Sequence, residues 1–179
     1  MMETLSITED LISRFGDSVE YSTNLFVFKN RYLGPTKVLS DSTVVDPGEF
    51  IGNIHLQTIN SDGPSSSAMA SQFSAEAVRG LCNLAYECEV NGKPLNNVVA
   101  FRGISDVVRP SFVKRLGFPD DVIELYRNQN KMKKRIGKYR GLYSENMIDS
   151  NVKDVYEIWL SKMQLIANMN YLVDLYTKF

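Results

Sequence analysis

His55 is the chain's only histidine and so carries the one imidazole whose ordinary pKa lies near neutrality. It falls in Phe50-Ile-Gly-Asn-Ile-His-Leu-Gln-Thr58, on the side opposite Phe50, Ile54 and Leu56. There it can serve as a base, a proton shuttle or a hydrogen-bond partner for a substrate. A structural histidine bonded to a carbonyl or carboxylate fits the same pattern. A second group of polar residues follows in Asn60-Ser-Asp-Gly-Pro-Ser-Ser-Ser67, where Gly63, Ser65, Ser66 and Ser67 lead toward a helix. Free amides and a partial positive charge at a helix start suit an anion. The loop has neither the nucleophile-elbow spacing nor the glycine spacings of known phosphate loops, and a ligand-free surface loop has the same composition.

Cys82 and Cys88 stand six apart in a predicted helix, which is neither a metal-ligand spacing nor an easy bridge. Buried, reduced thiols are expected, as in a cytoplasmic protein. One histidine and two such cysteines make no zinc set. The run Lys131-Met-Lys-Lys-Arg-Ile-Gly-Lys-Tyr-Arg140 has no acid and one aromatic. It offers charge for phosphates or RNA, but no interleaved stacking residues. A solvated helix face offsetting Asp120, Asp121 and Glu124 is the reading adopted for it.

The elements that must hold these residues follow from periodicity. Ser6-Ile-Thr-Glu9 has the capping-box pattern and predicts a helix over 7–15 closed by Gly16. Leu25–Phe28 reads as a strand, and Lys37–Val45 as a hairpin turning at 40–42. Asp46-Pro-Gly-Glu49 is a turn with Pro47 and Gly48 at the favourable positions. Alternation over Phe50–Thr58 predicts a central strand. Phe73, Ala77, Leu81, Leu84 and Cys88 predict a helix over about 73–89, capped by Ser71 or Ser74 and ended by Asn91-Gly92. Asn97–Ile104 reads as a strand buried on both faces, and Pro110–Leu116 as a short helix closed by Gly117. A further helix is expected from Asp120 or Asp121 through Tyr126 into the basic run. After Val155–Leu160, the last helix is expected over 161–177, with Met163, Ile166, Met169, Val173 and Tyr176 inward.

A net charge of −1 argues against a nucleic-acid coat, so nucleic acid is not the expected partner. No apolar run has membrane-spanning length, and no basic-then-apolar leader is present. With no linker long enough to divide the chain, residues 1–179 are read as one domain.

Two sets of residues resemble known families. Arg31-Tyr-Leu-Gly34, Leu39-Ser-Asp-Ser-Thr-Val44, Pro47-Gly48, Ile51-Gly52 and Ile54-His-Leu56, followed by Gly103-Ile-Ser105, Arg115-Leu-Gly-Phe118 and Trp159-Leu-Ser161 with Leu165, are similar in order and spacing to the bacterial YkoP-like domain family. The likeness spans about residues 25–170. Ser42 stands where that pattern has a turn glycine, and Gln57 and Thr58 where it has asparagines. The order strand, loop, long helix, buried strand, short helix also resembles the N-acetyltransferase-type (GNAT) fold, although the basic, glycine-spaced loop of that family is absent. In that family the loop after the central strand cradles the pyrophosphate of CoA. The likenesses imply an α/β (α+β) domain with a mixed, mostly antiparallel twisted sheet of GNAT-like topology. The YkoP-like resemblance implies no established activity; the GNAT-like one implies acyl transfer from acyl-CoA to a small or cell-envelope-related acceptor, with CoA near Gly63, Ser65, Ser66 and Ser67. His55 would assist proton transfer, with acyl-CoA as co-substrate and no other cofactor required. A non-catalytic module that binds a small molecule or a protein is the alternative.

Overall fold

The computed structural model describes residues 18–56, 67–139 and 153–179; beside the breaks, side chains are described from Gln72 onward and as far as Ile136. The expected helix over 7–15 lies outside the described residues. Six strands form one sheet: β1 (Ser18–Glu20), β2 (Leu25–Arg31), β5 (Phe50–Leu56), β6 (Val98–Ser105), β8 (Tyr156–Ser161) and β7 (Ile123–Leu125), in that spatial order. All neighbours are antiparallel except the central pair β5 and β6. The short strands β3 (Lys37–Val38) and β4 (Val44–Val45) pair separately as a hairpin. Helices α1 (Ser67–Glu89), α2 (Pro110–Arg115), α3 (Gln129–Tyr139), α4 (Lys162–Ala167) and α5 (Met169–Tyr176) complete an α+β fold.

Alternation in β5 divides the sheet as the sequence predicts. Register puts Ile54 beside Val27 and Gly103, and Gly52 beside Phe101, on the face that α1 covers. Ile51, Asn53 and His55 point to the other face. Gly52 is there because a Cβ would lie 2.6 Å from the Phe101 ring and 2.8 Å from Val27, both fixed in the core. The stripe of α1 is wider than predicted, since Val78 and Ala85 are buried beside Ala77, Leu81, Leu84 and Cys88. Its end is the predicted one. Asn91 adopts φ 52°, Gly92 N–H donates to Glu87 C=O at 3.1 Å, and Asn91 N–H donates to Cys88 C=O at 3.3 Å. Its start is earlier than predicted, at Ser67, so Ser71 and Ser74 are both interior residues and neither is the cap.

The opposite face carries a smaller core. Tyr32, Leu39 and Val45 of the hairpin region pack on Ile51, Ala100 and Trp159. Polar bonds pin the hairpin turn to the start of α4. Ser161 Oγ donates to Asp41 while accepting from Gln164 N–H at 3.0 Å, and Gln164 Nε2 donates to Ser40 Oγ at 2.6 Å. Burial alone would raise the Asp41 carboxyl, but the bonds from Ser161 and Thr43 hold it below its ordinary value. Ser42 occupies the left-handed region at φ 71°, the position where a turn glycine was noted as usual. Ser42→Gly should therefore gain about 0.5–1 kcal/mol in urea unfolding, the relieved strain exceeding the added freedom of the unfolded chain. No gain would mean that Ser42 is unstrained there.

Three expectations are corrected. Residues 120–126 are not a helix: a single turn at Asp120–Val122 leads into β7, where Ile123 pairs with Ile158 and Leu125 with Tyr156. The run Val122-Ile-Glu-Leu is short and ambiguous in period, and the open edge of β8 decides it. The last helix is broken at Asn168; its fully buried residues are Leu165 and Leu172, while the expected Ile166 and Met169 pack half-buried on the same core. Met163 is 66% exposed, and Val173 and Tyr176 are also at the surface. Among the described residues the basic helix makes no ion pair with Asp120, Asp121 or Glu124: Lys133 pairs with Asp154 at 2.9 Å, and Glu124 is held by Lys37 of the hairpin at 2.8 Å.

Candidate functional site

The parallel ladder between β5 and β6 stops at Ile54 and Gly103. Beyond it, His55 and Leu56 remain paired to β2, while Ile104 and Ser105 remain paired to β8. Their facing edges have no ladder partner among the described residues. A cavity of about 420 Å³ opens at this divergence and reaches both faces of the sheet. Under α1 and α2 its wall is apolar, with Leu25, Leu81, Phe112, Leu116 and Leu160. On the other face its wall is polar, with Asn30, Asn53, His55, Arg102 and Asp106.

Strand register builds the polar side. Asn53 and Arg102 are partners across β5 and β6, and Arg102 and Trp159 across β6 and β8. Asn53 Nδ2 donates to Asn30 Oδ1. Arg102 donates to the Glu157 carboxylate at 3.2 Å and sits over the Trp159 ring, 5.5 Å from its centroid. Glu157 also accepts from the Trp159 indole N–H. The guanidinium is thus held flat by an ion pair and an aromatic face, while its buried Nε–H has no partner among the described residues. Just past β6, Ser105 Oγ accepts from the N–H groups of Val107 and Val108 at 3.0 and 3.1 Å. This turn carries Asp106, a buried carboxylate at the cavity wall.

His55 lies where the sequence puts it, on the polar face and at the cleft. Burial pushes its pKa down to about 4, so the ring is neutral at pH 7. Its Nε2 is buried without a partner among the described residues. A neutral, unpartnered nitrogen beside a cavity can accept a proton or a hydrogen bond from a bound molecule. Of the expected anion-binding residues, Gly63, Ser65 and Ser66 lie outside the described residues. Ser67 is the first residue of α1, and its side chain is likewise not described. Cys88 is buried, and burial pushes its thiol up to about 11; Cys82 is free and half-buried. Neither is poised as a thiolate. Among the described residues, no three His, Cys, Asp or Glu side chains group as metal ligands. No described helix is long and apolar enough to cross a membrane.

Arg102, Asn53 and Asp106 escape a reading by motif because their partners come from other strands. Arg102 interrupts the apolar run Val98–Ile104, and a charged residue in such a run is the one signal that marks it. Met132, Arg135 and Ile136 of the basic helix also line the cavity, so one face of that run looks inward. No family model, curated protein or solved structure matches this chain.

Proposed function

We propose that the chain is an acyl-CoA-dependent acyltransferase, with its donor held in the cleft between β5 and β6. The observation that carries this reading is the divergence of the parallel pair β5 and β6 into a cavity with an apolar side and a polar side. An extended chain of amides, such as the pantetheine arm of CoA, suits two strand edges that lack ladder partners. Strand β5, helix α1, strand β6 and helix α2 follow in the order noted for the GNAT-like resemblance, which supports that topology. Arg135 at the cavity wall suits a phosphate of the donor.

In the proposed reaction an amine or hydroxyl of a small or cell-envelope-related acceptor attacks the thioester carbon. The new C–N or C–O bond forms and the C–S bond breaks. The proton of the nucleophile passes by way of His55 Nε2 to the departing sulfur, so CoA leaves as the thiol. His55 has no carboxylate bonded to Nε2, and its pKa of about 4 makes it a weak base. That observation favours the second reading, a binding module that uses the same cavity without turnover.

Thermal unfolding with acetyl-CoA and a longer acyl-CoA tests the proposal. Donor at one hundred times its dissociation constant should stabilise the fold by about 2.7 kcal/mol. Release of free thiol with an acceptor mixture should then fall by roughly 100-fold in His55→Ala, with donor binding retained. Stabilisation without thiol release supports the binding module, and no shift at millimolar donor removes CoA from the account.

A further inference from the structure

The cavity is larger than an acetyl group needs, and one side of it is apolar. Leu81, Phe112, Val113, Leu116, Phe118 and Leu160 wall it, and they come from α1, β8 and the segment that carries α2. An apolar cavity of about 150 Å³ takes up a six-carbon ring, whereas this cavity measures about 420 Å³ across both sides. Residue 103 stands where the paired strands begin to diverge. It is the last β6 residue paired with β5, it lines the cavity, and it is glycine. A Cβ there would meet nothing nearer than Ile54 O at 3.7 Å and Ile54 Cβ at 3.9 Å, which is ordinary contact. The core does not require glycine at this point as it does at Gly52, and the missing side chain leaves room at the cavity wall.

We propose that the molecule carried in this cavity is an aliphatic acyl chain of roughly six to ten carbons, threaded past Gly103 into the apolar side. The inference rests on the acyl-CoA reading for the head of the ligand, but the chain site stands on the cavity wall alone. It names the donor class as a medium-chain acyl thioester, with the polar face left for the acceptor.

Equilibrium binding should be measured for acetyl-, butyryl-, octanoyl- and dodecanoyl-CoA, and for octanoate and decanoate without CoA. Affinity should rise about fourfold for each added methylene until the cavity is filled, and then level off. Gly103→Val should abolish the gain of octanoyl-CoA over acetyl-CoA, and Gly103→Ala should shorten the preferred chain. Equal affinity for acetyl- and octanoyl-CoA overturns the chain inference while leaving the CoA reading intact. Length-dependent binding of the free acids with no contribution from CoA upholds the chain site and removes the CoA reading. Binding of neither series overturns both. If Gly103→Val does not fold, the series on the unaltered protein decides.

Discussion

Between pH 6.5 and about 5 the stability of this protein is expected to fall steeply, and His55→Gln should abolish that fall. In the unfolded chain His55 protonates near 6.5, whereas in the fold burial holds its pKa at about 4. The unfolded state therefore binds more protons over this interval, and stability rises with pH. The contribution of the buried neutral ring is complete above pH 6.5. It is lost progressively as pH falls toward 4, by about 3 kcal/mol in all. Asp41 and Glu76, whose carboxyls are held low, lose their contributions as pH falls below the ordinary carboxylate range. Since the chain has a single histidine, the interval from 6.5 to 5 isolates it. Urea unfolding at half-unit steps should give a slope approaching 1.4 kcal/mol per pH unit near pH 5. A flat profile would mean that His55 is solvated in the native state and not held neutral by burial.

Arg102→Met should cost about 2–3 kcal/mol at pH 7, and adding Glu157→Gln should restore most of it. The Arg102 and Glu157 side chains are 25% and 15% exposed, so each charge depends on the other for compensation. Methionine keeps the stem's packing on Trp159 but leaves the Glu157 carboxylate with the indole N–H as its donor. The two-residue change removes both charges together. Double-mutant cycles in urea should therefore show strong coupling. Additive losses would mean that the pair is solvated and does not fix the guanidinium at the cavity.

Much of the scaffold is legible because local chemistry and tertiary demand agree. Pro47 and Gly48 make the turn before β5, and Gly48 has φ 93°. Gly117 closes α2 at φ 83°, with Phe118 N–H reaching Val113 C=O at 3.4 Å. The alternation of β5 sorts His55 from Ile54 and Leu56. Agreement fails where neighbours decide. Strand β7 exists because β8 offers an edge to Ile123. The break at Asn168 sets which side of the last two helices is buried, so Leu165 and Leu172 take the core from Met163 and Val173. For the site, His55 is legible from the alternation of its own strand. The cleft is not, because it arises where a ladder ends, and no residue pattern records the end of pairing between strands separated by α1. Arg102 acquires its meaning from Glu157, 55 residues away.

A crystal structure with a non-hydrolysable octanoyl-CoA thioether would test the central claim most directly. The account predicts the thioether sulfur between His55–Leu56 and Ile104–Ser105, the pantetheine amides bonded to those strand edges, and the octyl chain beyond Gly103 against Leu81 and Phe112. A thioether bound elsewhere, with these two strand edges bonded to other parts of the chain, would contradict it.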